Sequence, residues 1–420
     1  MPYIDFTEKL LGLQDLIINN LIQDGNTIKI FAKLKVKEQH CPCCGTTTKT
    51  IHDYRKQIIK DIPSSGKSVE IHLKKRRYRC PHCNKRFAEE NSFLPRYYRV
   101  TNRLVEYVCE KLREVYSFTS VARELNLSTS TIIRYFDLVS YPIPKSLPNT
   151  LAIDEFKGNT DHEKYLCILT DPEHSTVLDI LPTRYNYYLT EYFSQYSTKE
   201  RNNTSIFISD MWKPYADISS TFFKNATYVV DKYHWIRQVI WAFEAVRKQE
   251  QKKFSSSHRR YFKRSKSLLN KHFNSLDDQQ KAQVNVMLYA SPALSRAYSY
   301  KNNFLDIINC KSREEAQKQL INWINSASFS GIEPFQKCAK TMLAWISGIL
   351  NSFTTKYTNG FTEGCNNKIK VLKRNAYGYC NFSRFRNRIL HIFSNQRQAT
   401  AYTRPCLKNK SCTKRRYKVK

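Results

Sequence analysis

Apolar residues in this chain switch between helical and alternating spacing, and the switches divide it. MPYIDFTEKLLGLQDLIINN spaces them as an amphipathic helix, in a segment covering residues 1–37. SVEIHLKKRRYRC alternates instead and predicts strands within residues 38–95. NRLVEYVCEKLREVYS, from Asn102, returns to helical spacing. SFTSVARELNLSTSTIIRYFDLV then gives two short helices broken at Asn126-Leu127-Ser128, with Ser128 able to cap the second. Val121, Ala122 and Leu125 would bury one face of the first, and Ile132, Ile133 and Phe136 one face of the second. That leaves Thr129, Ser130, Thr131, Arg134 and Tyr135 on or near the exposed side, as in a helix-turn-helix over residues 96–141. The proline-rich YPIPKSLPNT makes 142–150 a linker.

From Leu151 the runs are short and orderly. LAIDEF, KYLCILTD and STVLDILP read as strands, YNYYLTEYFSQY as a helix, TSIFISD as a strand, MWKPYADIS as a helix and ATYVVD as a strand, with a long helix from Lys232. That is the element order of a ribonuclease H-like fold, in which the first and fourth strands are neighbours at the sheet centre. Asp154 lies on the first and Asp210 ends the fourth. Two carboxylates brought together repel one another and need a cation, and hard divalent ions prefer oxygen ligands, so Mg²⁺ or Mn²⁺ is implied. A third carboxylate normally completes such a site. Glu155 should point to the opposite face from Asp154, while Asp171 and Asp231 end strands farther from the centre.

Cysteine spacing adds a second metal. Cys41-Pro-Cys-Cys44 and Cys80-Pro-His-Cys83 are two CxxC knuckles, enough thiolates for tetrahedral Zn²⁺ in a zinc ribbon, with Cys43 and His82 as alternative donors inside the knuckles. Between them Lys74, Lys75, Arg76, Arg77 and Arg79 crowd one strand and are candidate phosphate contacts.

Charge then sets the partner. Sixty-nine basic against 36 acidic side chains give a formal charge of +33, which a polyanion would offset, and nucleic acid leads. The N-terminus lacks the basic head and uninterrupted apolar core of a signal peptide, and MLAWISGIL is too short to cross a bilayer. A cytoplasmic, nucleoid-associated protein with reduced thiols is expected. In the span 334–420, Glu363 is the only acid among 19 Lys and Arg.

IDEFKG, SDMWKPY, VDKYHW and TNGFTEGCNNKIKVLKRNAYGYCNFSRFRNRI resemble bacterial insertion-sequence transposases of the ISL-three family, over nearly the whole chain. The resemblance implies a DDE triad that carries onto Asp154, Asp210 and Glu363. It also implies a mostly helical insertion before Glu363, and VIWAFEAVRKQEQKKF, SHRRYFKRSKSLLNKHF and SREEAQKQLINWINSA are rich in helix formers. The expected fold is multidomain α/β: zinc ribbon, helix-turn-helix and a ribonuclease H-like core in two parts, 151–245 and 346–400, around an insertion at 246–345, with a basic tail at 401–420. Asp231 and His234 resemble an acid-plus-His signature of transposases with helical insertions, or are simply a helix cap and its neighbour. Trp235 and Trp241 are either core residues or platforms for a DNA base.

The implied activity is a DNA transposase that binds terminal inverted repeats, hydrolyses a phosphodiester at each end and joins the 3′-hydroxyl to target DNA by two-metal catalysis. Lys368, Lys370, Lys373, Arg374, Arg384, Arg386 and Arg388 would clamp phosphates. Pairing two element ends implies a homodimer or larger assembly. The alternatives are a ribonuclease H-like nuclease or resolvase without strand transfer, and a catalytically inactive, transposase-derived repressor.

Overall fold

A computed structural model describes residues 16–394 apart from 92, 95–97 and 162, and its contacts separate two units. One comprises residues up to Tyr141 together with Lys370–Gly378 and the chain from Ser383; the other comprises Pro142–Ile369 and Tyr379–Phe382.

The first unit opens with a hairpin, β1 (Leu16–Asp24) and β2 (Thr27–Leu34). This corrects the helix expected across Leu16–Asn20; residues 1–15 of that segment lie outside the described residues. The physical reason is local: Ile17, Ile18 and Ile22 are β-branched, and Gly25 takes a φ of 56° in the two-residue loop after Asp24, a conformation such loops require. Short strands β3 (Gln39–His40) and β4 (Thr47–Thr48) flank the first knuckle. Long β5 (Ile51–Ser64) and β6 (Lys67–Arg79) pair antiparallel, and β7 (Arg86–Ala88) follows the second knuckle. The sheet runs β1-β2-β6-β5 with β7 on β6, over a core that includes Leu34, Ile59, Ile71 and Leu73.

Three helices follow, α1 (Asn102–Lys111), α2 (Phe118–Glu124) and α3 (Thr129–Phe136). Thr101, Ser117 and Ser128 cap them, each hydroxyl accepting from a backbone N–H three residues on.

The second unit carries the mixed sheet β10-β9-β8-β11-β12. Its strands are β8 (Thr150–Thr160), β9 (Glu163–Asp171), β10 (Thr176–Leu181), β11 (Ile206–Ser209) and β12 (Thr227–Val230). The first three pair antiparallel; β11 is parallel to both β8 and β12. Helices α4 (Asn186–Ser194), α5 (Thr198–Asn202) and α6 (Lys213–Phe222) lie between strands in the chain, and Leu189, Phe193, Tyr215 and Ile218 pack on Leu151, Ile153, Cys167 and Leu169 of one sheet face.

After β12 the regular elements are helical up to Asn351: α7 (Lys232–Lys253), α8 (Ser256–Arg264), α9 (Lys266–Asn270), α10 (Asp278–Tyr289), α11 (Pro292–Ile307), α12 (Arg313–Ser328), α13 (Glu333–Ala344) and α14 (Ile346–Asn351). They share a core that includes Trp235, Phe243, Phe304, Trp323 and Phe335. Gly348 lets α14 approach β12, since a Cβ there would sit 2.7 Å from Val230 Cγ2. Two helices close the described chain, α15 (Gly360–Asn375) and α16 (Phe382–Phe393).

Candidate active site and metal centres

Cys41, Cys44, Cys80 and Cys83 bring their sulfurs within 4.8 Å of one another, with Cys41–Cys83, Cys44–Cys80 and Cys44–Cys83 each at 3.5 Å. Four thiolates around one zinc at about 2.3 Å stand roughly 3.8 Å apart, so the tetrad fits the ion. Cys43 and His82 stay out of the group. The hydroxyl and backbone N–H of Thr46 pull the Cys44 thiol down to about 5, toward the thiolate a metal needs.

On α3, Ser130 and Arg134 are exposed and Thr129 and Thr131 half-exposed, while Ile132 and Phe136 are buried. Tyr135 departs from expectation: it is buried and stacks on Tyr98 at 6.0 Å, and Ile133 is only partly covered.

Several expected phosphate contacts have other work. Arg76 is buried, its guanidinium donating to Glu89 at 3.0 Å and to the Leu34 carbonyl at 2.9 Å. Arg77 pairs with Asp53 at 3.0 Å; Lys74 remains exposed over the Tyr54 ring. Arg388 is wholly buried and donates to the carbonyls of Leu112, Glu114 and Tyr116. Arg384 makes a two-pronged pair with Asp137 at 2.8 and 2.9 Å, and Arg386 donates to the Tyr141 carbonyl. These arginines bind α16 to the helical part of the first unit. Charge density alone could not have shown these engagements.

The acids assemble at the sheet. Ile208 pairs with Ala152 and Ser209 with Val230; continuing those registers brings Asp210 level with both Asp154 and Asp231. Asp154 lies within β8 while Asp210 and Asp231 directly follow β11 and β12, and the charges of both act on Asp154, so the three form a row across adjoining strands. Asp231 directly follows β12, the outer strand of the sheet, and so lies farther from the centre than Asp154 and Asp210, as expected. It is both the N-cap of α7, accepting from Tyr233 N–H at 3.2 Å, and a member of this row.

Three tethers hold the start of α15 against the sheet. Asn359 N–H donates to Asp231 Oδ1 at 3.0 Å, the Thr362 and Thr170 hydroxyls are 2.7 Å apart, and Asn366 Nδ2 donates to Asp154 Oδ2 at 2.9 Å. Glu363, in the first turn, thereby comes within 4.8 Å of ligand atoms on Asp231 and His234. Asp154 and Asp210 lie outside that group.

Burial chiefly, with Asp210, Glu155 and Asp231 as neighbouring charges, pushes Asp154 up to about 7. Burial and the Glu155 charge do the same for Asp210, also to about 7. Asp210 Oδ1 is buried with no hydrogen-bond partner. An acceptor with nothing to accept from, beside other carboxylates, fits a hard divalent cation. Burial also holds His234 below its usual value. Glu155 pairs with Arg184 at 2.7 Å, yet its charge still reaches Asp154, Asp210 and His234.

Asn366 and Asn359 escaped the sequence reading. Asn366 had a signal, since it lies three residues after Glu363 on the same helix face. Asn359 acts through its backbone and had none. Trp235 is buried in the helical core, which settles that position as packing, whereas Trp241 is half exposed.

A four-cysteine metal knot, a helix-turn-helix and a carboxylate-lined sheet edge define a multidomain α/β DNA-binding protein. The family description "Transposase" matches residues 151–389, "zinc-finger of transposase IS204/IS1001/IS1096/IS1165" matches 37–83, and "Helix-turn-helix domain of transposase family ISL3" matches 89–140. The chain belongs to the ISL3 family of transposases. It is 27% identical over 366 residues to the transposase for insertion sequence element IS1001 of Bordetella parapertussis, covering 84% of this chain and 89% of that one. A shorter match, 35% over 107 residues, is to a Lactococcus lactis protein named ATP-dependent protease and covers 26% of this chain and 33% of that protein. No helix among the described residues is long and apolar enough to cross a membrane.

Proposed function

We propose that this chain is a DDE transposase that cuts DNA at the ends of its element and joins the freed 3′-hydroxyl to target DNA. The catalytic unit is read as a ribonuclease H-like core, with α8 to α13 as its helical insertion. Asp154, Asp210 and Glu363 are the catalytic carboxylates, with Asp231 beside them. The observation that carries the reading is the register that brings Asp210 level with Asp154 and Asp231, with the start of α15, which carries Glu363, tied to Asp154 and Asp231. Divalent cations, Mg²⁺ or Mn²⁺, bound by these oxygens would lower the pKa of an attacking water or 3′-hydroxyl and steady the leaving oxygen. Asp154, Asp210 and Glu363 would bind and space the ions. Asn366 orients the Asp154 carboxylate, and Asn359 fixes Asp231 through its N–H.

Thr129, Ser130, Thr131 and Arg134 on α3 would read the terminal inverted repeats in the major groove, and Lys74 and Lys75 would add phosphate contacts from the ribbon. The Lys368, Lys370, Lys373 and Arg374 side of α15 supplies further positive charge. Synapsis of two ends calls for a dimer or larger assembly.

The test is incubation of the full chain with Mg²⁺ and labelled element-end DNA, beside Glu363→Ala. Products ending in a 3′-hydroxyl and dependent on Glu363 are expected, and pre-cleaved ends should be joined to a target plasmid. Cutting without joining would leave a nuclease; absence of Glu363-dependent products would remove the mechanism.

A further inference from the structure

Tyr233, Arg237 and Trp241 recur every fourth residue on α7 and so form one stripe on its surface. The Arg237 guanidinium lies 5.2 Å from the centre of the Tyr233 ring and 4.4 Å from that of Trp241, so it sits between the two. Both rings are about half exposed, at 53% and 52%. A guanidinium between two aromatics is stabilising, yet leaving that much ring surface in water opposes it. Arg237 Nε is buried without an acceptor, and no ion pair engages this side chain among the described residues.

The stripe begins at the carboxylate cluster. Tyr233 N–H donates to Asp231, and the Tyr233 ring meets His234 edge-on at 5.6 Å. Arg237 is close enough for its charge to act on both Asp210 and His234. Each ring has one face covered by the guanidinium and half its area open, and Arg237 is a cation with unused donors. A base inside a duplex is already stacked on both sides and has no free face to offer. An unpaired nucleotide has both a free base face and a phosphate.

We infer that the Tyr233–Arg237–Trp241 stripe binds an unpaired DNA nucleotide, its base stacked on Trp241 and its phosphate on Arg237, next to the carboxylates. The inference rests on the reading of the chain as a DNA-cutting transposase for the source of that nucleotide: a strand separated from its complement at the cut. The stripe contributes no reacting group; it positions the strand.

The test measures binding of the full chain to three fluorescein-labelled probes: a mixed-sequence single strand, the same strand with abasic sites replacing its central bases, and the duplex. Stacking contributes about 1–3 kcal/mol per base, so the wild type should prefer the base-bearing strand to the abasic one by roughly 5- to 150-fold. Trp241→Ala should lose that preference, Trp241→Phe should keep most of it, and duplex affinity should be the same in all three proteins. A wild type indifferent to abasic sites, or a Trp241→Ala that keeps the preference, overturns the inference. A residue that only stabilises α7 would change thermal stability without touching base-versus-abasic discrimination. Glu363→Ala keeps the stripe, so it should retain the preference while losing cleavage. Failure of the catalytic reading therefore shows separately, as the absence of Glu363-dependent cleavage.

Discussion

Asn366 Nδ2 lies 2.9 Å from Asp154 Oδ2, joining the helix of Glu363 to a strand more than two hundred residues earlier. The bond restrains the Asp154 carboxylate and the rotation of α15 together. Asn366→Ala should therefore weaken Mg²⁺-dependent cleavage by about 10- to 100-fold, the usual effect of losing a partner of a metal-binding carboxylate. Titrating Mg²⁺ in the cleavage assay checks this: the half-saturating concentration should rise, whereas DNA affinity measured without Mg²⁺ should not change.

Zinc content separates the four-sulfur knot from its near neighbours. Cys80→Ser should abolish stoichiometric zinc, measured by elemental analysis of purified protein, because the tetrad loses a buried ligand. Cys43→Ser should leave it intact, since Cys43 is exposed and outside the group. Chelation of the wild type should lower the unfolding temperature of the ribbon, where metal binding and folding are linked.

Arg388 and Arg134 should fail differently. Arg388→Ala removes a buried cation that satisfies three carbonyls and lies near Phe118 and Phe136, so a loss of roughly 3 kcal/mol or more in stability is expected. Arg134→Ala alters an exposed side chain and should change stability by less than about 0.5 kcal/mol while weakening element-end binding. Denaturant unfolding and DNA titration, run on both variants, distinguish the two outcomes.

His391 should give the first unit an acid limit. Its Nε2 lies 2.7 Å from the Cys109 carbonyl and its Nδ1 2.7 Å from the Tyr141 hydroxyl, a pattern met by neutral imidazole donating from Nε2 and accepting at Nδ1. Burial, helped by Arg113 and Arg388, holds it down to about 4, against an ordinary value near 6.5. The unfolded chain therefore binds the proton first as pH falls. Its stabilising contribution is full above about pH 6.5 and declines toward about pH 4, by up to roughly 3 kcal/mol. Denaturant unfolding between those limits should show the decline, and His391→Phe should flatten it.

Much of the catalytic unit was legible because its signals are local. Short apolar runs identify the strands, and Asp210 and Asp231 mark the ends of two of them, whereas β8 runs past Asp154 to Thr160. CxxC spacing brings two thiols together whatever the rest of the chain does, which is why the zinc cysteines could be named before their partners were seen. The N-terminal hairpin was misread because LIINNLIQD fits both periods, and only the turn at Gly25 and pairing with β2 decide between them.

By itself, then, the sequence determined which acids lie on or just after strands, which cysteines pair within a knuckle, where the helix-turn-helix lies and to which family the chain belongs. Tertiary structure alone decided which cations are available. Arg76, Arg384 and Arg388 read as DNA contacts until Glu89, Asp137 and three carbonyls engage them. It also decided that Asp231, beyond the outer strand, stands close enough to Asp154 for its charge to act there, and that Asn359 and Asn366 tie the start of α15 to these two acids. The reason is physical: spacing along a chain fixes what each short element is, but ion pairing, strand register and buried hydrogen bonds join residues up to hundreds of positions apart, and no local pattern encodes the partner.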